Sequence, residues 1–293
     1  MKSSPINALQ LEVGDPPLVL RRQYLSDRFF FRCLQLSDHP LIQKLSQLYI
    51  FISSSSYWKH KKPPCLIQSY EKYKSIESPT FTSSCFPIYK CSYQSLVLSP
   101  NIKYDFGLSK NDSELNAKFM FITDIEWNEW HYIFTDASKP DNSGCVGVGV
   151  FHSQFNIVQK IKLPPESSVF TGECYGILKA VEYILLMKLH KAIVFTDSMS
   201  SLQALAKYPF KSKPVYPIIC DIRQSLYLCM LRGYSVSFAW LPGHSGISGN
   251  DKADLIAREA VTCGDMYPYH NYCSDLACLP KIYLSLERPQ QLL

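Results

Sequence analysis

Between Leu18 and Leu36 apolar side chains recur at helical intervals, with Leu18, Tyr24, Leu25, Phe29, Cys33 and Leu36 following Pro16-Pro17, and the spacing predicts an amphipathic helix. A shorter helix is predicted from His39-Pro40 to about Tyr49. The periodicity then fades, and Ser53 to Ser56, Pro63-Pro64, Pro79 and Ser83-Ser84 punctuate the chain down to about residue 125, where loops or weak order are expected. From Trp130 the texture changes. His131 to Thr135 reads as a strand; Val146, Val148 and Val150 alternate with Gly147 and Gly149 in a second, whose glycine face would admit another layer closely. A third strand covers Asn156 to Lys162. A long helix opens near Thr171, with Cys174, Ile177, Leu178, Val181, Ile184 and Leu185 in one stripe. Lys191 to Thr196 reads as a buried strand. Helices at Ser200 to Lys207 and Val215 to Gly233, a strand at Ser235 to Trp240, a glycine-rich loop and a helix from about Asn250 to Val261 complete the pattern.

Three strands in series, then helix, strand, helices, strand, helix, is an α/β order in which hairpins build an antiparallel part and crossovers a parallel part. The economical solution is a five-stranded mixed sheet flanked by helices. The predicted organisation is a helical segment over 1–50, a poorly ordered connector over 51–128, the α/β domain over 129–262 and a tail over 263–293.

Composition narrows the picture. Of 293 residues, 46% are apolar and 19% charged, which excludes a wholly disordered chain. No apolar run approaches the ~18 residues of a membrane span, and Met1 to Leu11 lacks the pattern of a secretory signal, so no membrane association is expected. The 11 cysteines are scattered, odd in number and without a C-x-x-C pair, which points to a reducing, intracellular setting, nucleus and cytoplasm being indistinguishable. Cys263, His270, Cys273 and Cys278 fit no familiar zinc spacing and read as idle thiols. The net charge of +5 sits in the N-terminal part: residues 1–125 hold 15 Lys and Arg against 10 acids, the remainder 15 against 15. Arg21-Arg22 and Lys59 to Lys62 could meet a polyanion, or simply be a solvated surface.

Four acids carry the candidate chemistry: Asp136, Glu173, Asp197 and Asp254. Each alone has a plain reading, as a turn former, a helix N-terminal acid, a cap, or a partner of Arg258 one turn on. Together they suggest more. Asp136 and Asp197 follow apolar runs that belong to central strands; Glu173 begins the helix between those strands, and Asp254 lies one turn into the last helix. If the two strands are neighbours, the acids converge on one sheet edge. Like charges about 4 Å apart repel by roughly 4 kcal/mol at an intermediate dielectric, so protonation or cations must compensate. Oxygen-only ligands suit Mg2+ or Mn2+, and paired ions suit phosphodiester hydrolysis.

Phe134-Thr135-Asp136-Ala137-Ser138, Thr171-Gly172-Glu173, Phe195-Thr196-Asp197-Ser198 and the run from Trp240 through His244 to Asp254 resemble, in order, the motifs of type 1 ribonuclease H domains, over roughly residues 129–262. The resemblance implies a ribonuclease H-like fold and an endonuclease that hydrolyses the RNA strand of RNA–DNA hybrids. It implies two Mg2+ ions, Mn2+ being possible, held by Asp136, Glu173, Asp197 and Asp254. It casts His244 as a mobile loop histidine assisting proton transfer or product departure, and Ser198 and Asn250 as supporting residues. The family's polar pair ahead of the second acid is replaced by Val169 and Phe170, which leaves the grip on the hybrid less defined than the metal site. In the helix Val215 to Gly233, Arg223 and Arg232 are the cations. Pro16-Pro17-Leu18, Leu20 to Leu25 and His39-Pro40-Leu41 more loosely resemble the segment joining polymerase to ribonuclease H in insect-type non-LTR retrotransposon polyproteins.

Two competing readings are a catalytically silent nucleic-acid-binding remnant of the same domain, and an integrase or transposase on a similar sheet. The latter is disfavoured by order, because here the glutamate comes second and the late helix offers Asp254.

Overall fold

The computed structural model describes residues 17–36, 39–74, 87–108, 114–140, 144–207, 216–266 and 272–281. The chain forms two compact units, one of Phe86–Tyr269 and one combining Met1–Cys85 with His270–Leu293.

The smaller unit contains α1 (Leu18–Leu34), α2 (Pro40–Ser54), α3 (Cys65–Tyr73) and, from the C-terminal segment, α10 (Cys273–Leu276). Phe30 and Phe31 of α1, Leu45 and Ile52 of α2, Ile67 and Tyr73 of α3 and Leu276 of α10 share one core. Helices α1 and α3 are also joined through a fully buried acid: Asp27 accepts hydrogen bonds from Gln23 Nε2 and Ser69 Oγ, both at 2.7 Å, and from Tyr73 Oη at 3.1 Å. Helix α3 falls in the stretch expected to be a poorly ordered connector, and that expectation is corrected here. Nine residues give too short a stripe for periodicity to register, and the helix owes its order to packing on α1.

The larger unit holds the sheet. Its elements are α4 (Tyr93–Val97), β1 (Asn101–Lys103), α5 (Leu115–Glu126), β2 (His131–Ser138), β3 (Val146–His152), β4 (Ile157–Leu163), α6 (Val169–Met187), β5 (Lys191–Thr196), α7 (Met199–Ala206), α8 (Pro217–Leu231), β6 (Ser235–Trp240), α9 (Ser248–Cys263) and β7 (Asp265–Met266). The strand order is β1-β6-β5-β2-β3-β4-β7. Strands β2, β3 and β4 are antiparallel hairpin neighbours, whereas β5 lies parallel to both β2 and β6. The mixed α/β class follows the sequence pattern, but the sheet has seven strands rather than five. Strands β1 and β7, of three and two residues, are too short for alternation to reveal and exist because each pairs with an exposed edge.

Helix α9 covers one sheet face at backbone distance. A Cβ on Gly149 would lie 2.5 Å from the Ala253 carbonyl oxygen and 2.8 Å from the Ala257 nitrogen, so the alternating glycines of β3 set how near α9 can come. On the opposite face Val146 and Val148 meet α6 at Gly172 and Gly176. Gly149→Ala is expected to force α9 outward and destabilise the unit by about 1–3 kcal/mol, as overpacking against unyielding backbone does. Urea unfolding measures this, and an unchanged midpoint would refute the close-packing account.

Residues 87–108 and 114–127, also read as connector, are built into this unit. Phe106, Leu115, Phe119 and Trp127 share a core with Phe134, Phe195, Ala239, Leu241 and Ile247. Phe119 meets Phe195 edge-on at 5.1 Å and Phe195 stacks on Phe134 at 5.0 Å. Arg223, expected as a cation of the long helix, is 2% exposed and cannot serve as a surface charge. Its guanidinium donates to the carbonyls of Leu96 (2.9 Å), Leu98 (2.7 Å), Leu205 (2.5 Å) and Lys207 (2.9 Å), fastening the ends of α4 and α7 to α8. The long apolar stripe of α8 disguised this, since nothing in its spacing separates a buried arginine from an exposed one.

At the start of β2, His131 Nδ1 and His152 Nε2 are 3.2 Å apart, and His152 Nδ1 lies 2.9 Å from Tyr183 Oη. Burial first, then the neighbouring His131, push His152 down to about 4, against a side-chain hydrogen bond to Gln154 that acts upward. The folded state therefore binds fewer protons than the unfolded chain below the ordinary histidine value of 6.5. This contribution to stability is complete above that pH and is lost as pH falls through it toward 4. A His152→Gln variant should show a flatter decline of melting temperature between pH 7 and 4.5 than the wild-type chain; parallel profiles would remove the histidine from the account.

Candidate active site

Strand register brings the first two acids together. Thr135 of β2 pairs with Thr196 of β5, so the residues that follow, Asp136 and Asp197, leave neighbouring parallel strands at the same level. Asp136 stands opposite Gly149 and therefore on the face covered by α9. The third acid arrives on α6. Ser168 caps this helix by accepting from the Thr171 N–H at 3.1 Å, and the missing side chain of Gly172 lets the first turns settle on Ala137. The Ala137 N–H then donates both to Asp136 Oδ1 (2.8 Å) and to Glu173 Oε1 (3.2 Å).

Carboxylate oxygens of Asp136, Glu173 and Asp197 all lie within 4.8 Å of one another. Among the described residues this is the one such group of metal-ligating side chains, and His270 lies outside the described residues. Asp136 and Glu173 are each only 6% exposed. Burial, and then the charge of Asp197, push the Asp136 carboxyl up to about 7, with Asp254 adding to the rise and the Ala137 N–H opposing it. Burial, then Asp136 and Asp197, hold Glu173 well above the ordinary carboxylate range. No hydrogen-bond partner reaches the buried Glu173 Oε2. Three hard oxygen donors, one of them with an orphaned buried atom, fit a divalent cation, which would remove the repulsion that now favours protonation.

Asp254 does not join this group within ligand distance. Its carboxylate is taken by Arg258, whose Nε donates to Oδ1 at 3.0 Å and whose Nη2 donates to Oδ2. It nonetheless lies close enough for its charge to raise Asp136. His244 Nδ1 is 3.5 Å from Asp254 Oδ2, with the His244 side chain 66% exposed. The structure thus gathers three of the five expected residues and sets the other two beside them.

The histidine loop is anchored at its start to the end of β5. Trp240 Nε1 donates to the Asp197 carbonyl at 2.9 Å, and the Leu241 N–H donates to the Thr196 carbonyl at 3.0 Å. Gly243 lies directly against the Asp197 carboxylate, where a Cβ would collide with Oδ2. His244 itself holds a left-handed φ of 50°, unusual for a residue with a side chain. Ser198 Oγ is 2.8 Å from Ser201 Oγ in the first turn of α7, and Asn250 is buried. Sequence reasoning missed the Ala137 N–H and the Trp240 indole. A backbone donor has no sequence signature, and a tryptophan ending a strand reads as ordinary core.

Comparison with known proteins bears on the same stretch. Residues 128–262 match the model of the RNase H family, a little under half of the chain. Ribonuclease H1 of Homo sapiens is 26% identical over 123 residues, which cover 39% of this chain and 43% of the human protein. Ribonuclease H1 of Rattus norvegicus is 23% identical over 140 residues, covering 44% of this chain and 49% of that protein. The chain thus spans about half the length of the curated relatives it matches. Residues 128–262 are thus similar to the RNase H family, with weak similarity to ribonuclease H1, and the mixed sheet with flanking helices is the architecture that the sequence motifs imply.

Proposed function

We propose that this domain is a divalent-metal-dependent endonuclease that hydrolyses the RNA strand of RNA–DNA hybrids. The observation that carries the reading is the convergence of Asp136, Glu173 and Asp197 from three separate elements, with Glu173 Oε2 buried and lacking a partner. The match to the RNase H family and to two ribonuclease H1 proteins supports the same substrate class.

In this reading Asp136, Glu173 and Asp197 would together hold Mg2+ or Mn2+, two ions being the expected number. When bound, the ions supply the positive charge that lets the acids ionise together and that polarises the phosphodiester. Asp254 would be the last ligand once released from Arg258. His244 moves a proton through Nε2, its Nδ1 being turned toward Asp254. Recognition relies on duplex shape and on 2′-hydroxyl groups across the minor groove. The loose N-terminal motifs support an origin in the C-terminal part of a retrotransposon polyprotein, and the reducing-compartment cysteine pattern an intracellular location. Among the described residues no helix is long and apolar enough to cross a membrane.

A second reading, a nucleic-acid-binding remnant that no longer cuts, is favoured by the Arg258 clamp on Asp254 and by Val169 and Phe170 in place of the family's polar pair. Incubating the full chain with labelled RNA–DNA, RNA–RNA and DNA–DNA duplexes, with and without Mg2+, separates the two. Cleavage confined to the RNA of the hybrid and dependent on the cation is the expected result; hybrid binding without cleavage establishes the remnant.

A further inference from the structure

Helix α5 lies wholly before the stretch that matches the RNase H family, yet its Leu115 and Phe119 share a core with Phe134 of β2, Phe195 of β5 and Ile247. Its C-terminal carbonyls are held by β2: Tyr132 Oη donates to Thr123 O at 3.2 Å and to Trp127 O at 3.1 Å. Twelve residues of helix reach about 18 Å. The other end meets the first turn of α9. There Ile247, the residue before the helix, cannot cap it with a side chain, and the Ser248 N–H is one of the donors a helix start leaves unpaired. Asn116 of α5 supplies the acceptor, its Oδ1 receiving the Ser248 N–H at 3.1 Å. Below that bond Ile247 is fully buried in the same core as Leu115 and Phe119.

This contact falls at a sensitive point. The loop carrying His244 runs from Trp240 to Ile247; β5 anchors its beginning, and α5 anchors its end. Asp254 sits two turns into the helix whose start Asn116 caps. The loop contains two left-handed residues, His244 at 50° and Gly246 at 80°, so its shape depends on both ends being held.

We propose that Asn116 is a positioning residue of the active site, which caps α9 from α5 and thereby holds the His244 loop and Asp254 in register with the acid cluster. This rests on the hybrid-cleavage reading and extends the working domain some dozen residues before the matched stretch. The cap acts from a separate helix, so it couples the order of residues 114–127 to the geometry of a site to which they contribute no ligand.

The test compares the full-length wild-type chain with Asn116→Ala and Asn116→Asp. Loss of an N-cap acceptor shifts a local equilibrium by about five-fold. Asn116→Ala should therefore lower kcat on the RNA–DNA hybrid by about that factor, with KM unchanged, and hasten amide hydrogen exchange across residues 241–250 while β2 and β5 stay protected. Asn116→Asp, which keeps the acceptor, should restore both. In a His244→Ala background Asn116→Ala should cost less activity than in the wild-type chain, the remainder reporting the placement of Asp254. Unchanged exchange in Asn116→Ala, or faster exchange with wild-type kcat, overturns the proposal. A wild-type chain that cleaves nothing refutes the hybrid-cleavage reading instead, and the exchange measurement then decides the cap by itself.

Discussion

Asp136→Asn is expected to reduce Mg2+-dependent cleavage of an RNA–DNA hybrid by on the order of a thousand-fold or more, the scale set by several kcal/mol of lost charge stabilisation at the reacting phosphate. The same substitution should raise the melting temperature of the metal-free protein. Burial and two acid neighbours push the Asp136 carboxyl up to about 7, so the folded state holds a proton that the unfolded chain releases near pH 4. Stability from this group is therefore full at acid pH and is lost as pH rises through 7. Asparagine keeps the shape without the charge, so the gain over wild type should be absent near pH 4, grow between pH 4 and 7, and be full above pH 7. Adding Mg2+ should raise the wild-type melting temperature more than that of the variant. Undiminished cleavage by Asp136→Asn would remove the acid cluster from the chemistry, whatever the thermal data showed.

Arg223→Met is expected to be the most damaging single change to the sheet unit, at about 3 kcal/mol or more. Four carbonyls, of Leu96, Leu98, Leu205 and Lys207, would lose their shared donor in a site that water reaches poorly. Methionine fills a similar volume, so the loss reports hydrogen bonding rather than a cavity. Lysine retains the charge but not the planar fork that serves four acceptors at once, and Arg223→Lys should recover only part of the deficit. Urea unfolding measures both, and the amides of residues 93–103 should exchange faster in the methionine variant. Wild-type stability in Arg223→Met would show the carbonyls to be satisfied by other means.

Local pattern carried a great deal of the architecture. Strands β2 to β6 and the helices between them follow from alternation and helical stripes, with ends that differ by a few residues: the last helix begins at Ser248 rather than Asn250, and α2 runs on to Ser54 rather than ending near Tyr49. Alternation also foretold the layer that would press on Gly147 and Gly149. The placement of Asp136 and Asp197 after apolar runs was enough to bring their strands to mind as neighbours, because central strands are apolar throughout and parallel neighbours present their ends together.

Other features were beyond any local reading. The short strands β1 and β7, helix α3 and helix α5 owe their order to partners far along the chain, and their own sequences are too brief or too evenly apolar to announce them.

By itself the amino-acid sequence determined the order of elements, the mixed class of the sheet and which acids stand at strand ends and helix starts, since those depend on periods of two and 3.6 residues written along the chain. Tertiary structure alone decided that Asp136, Glu173 and Asp197 meet within ligand distance, that Arg223 is buried under four carbonyls, and that α5 caps α9 through Asn116. Those outcomes depend on strand register, on backbone approach at glycine and on which donor reaches which acceptor first. Each is a relation between distant segments that no single segment encodes.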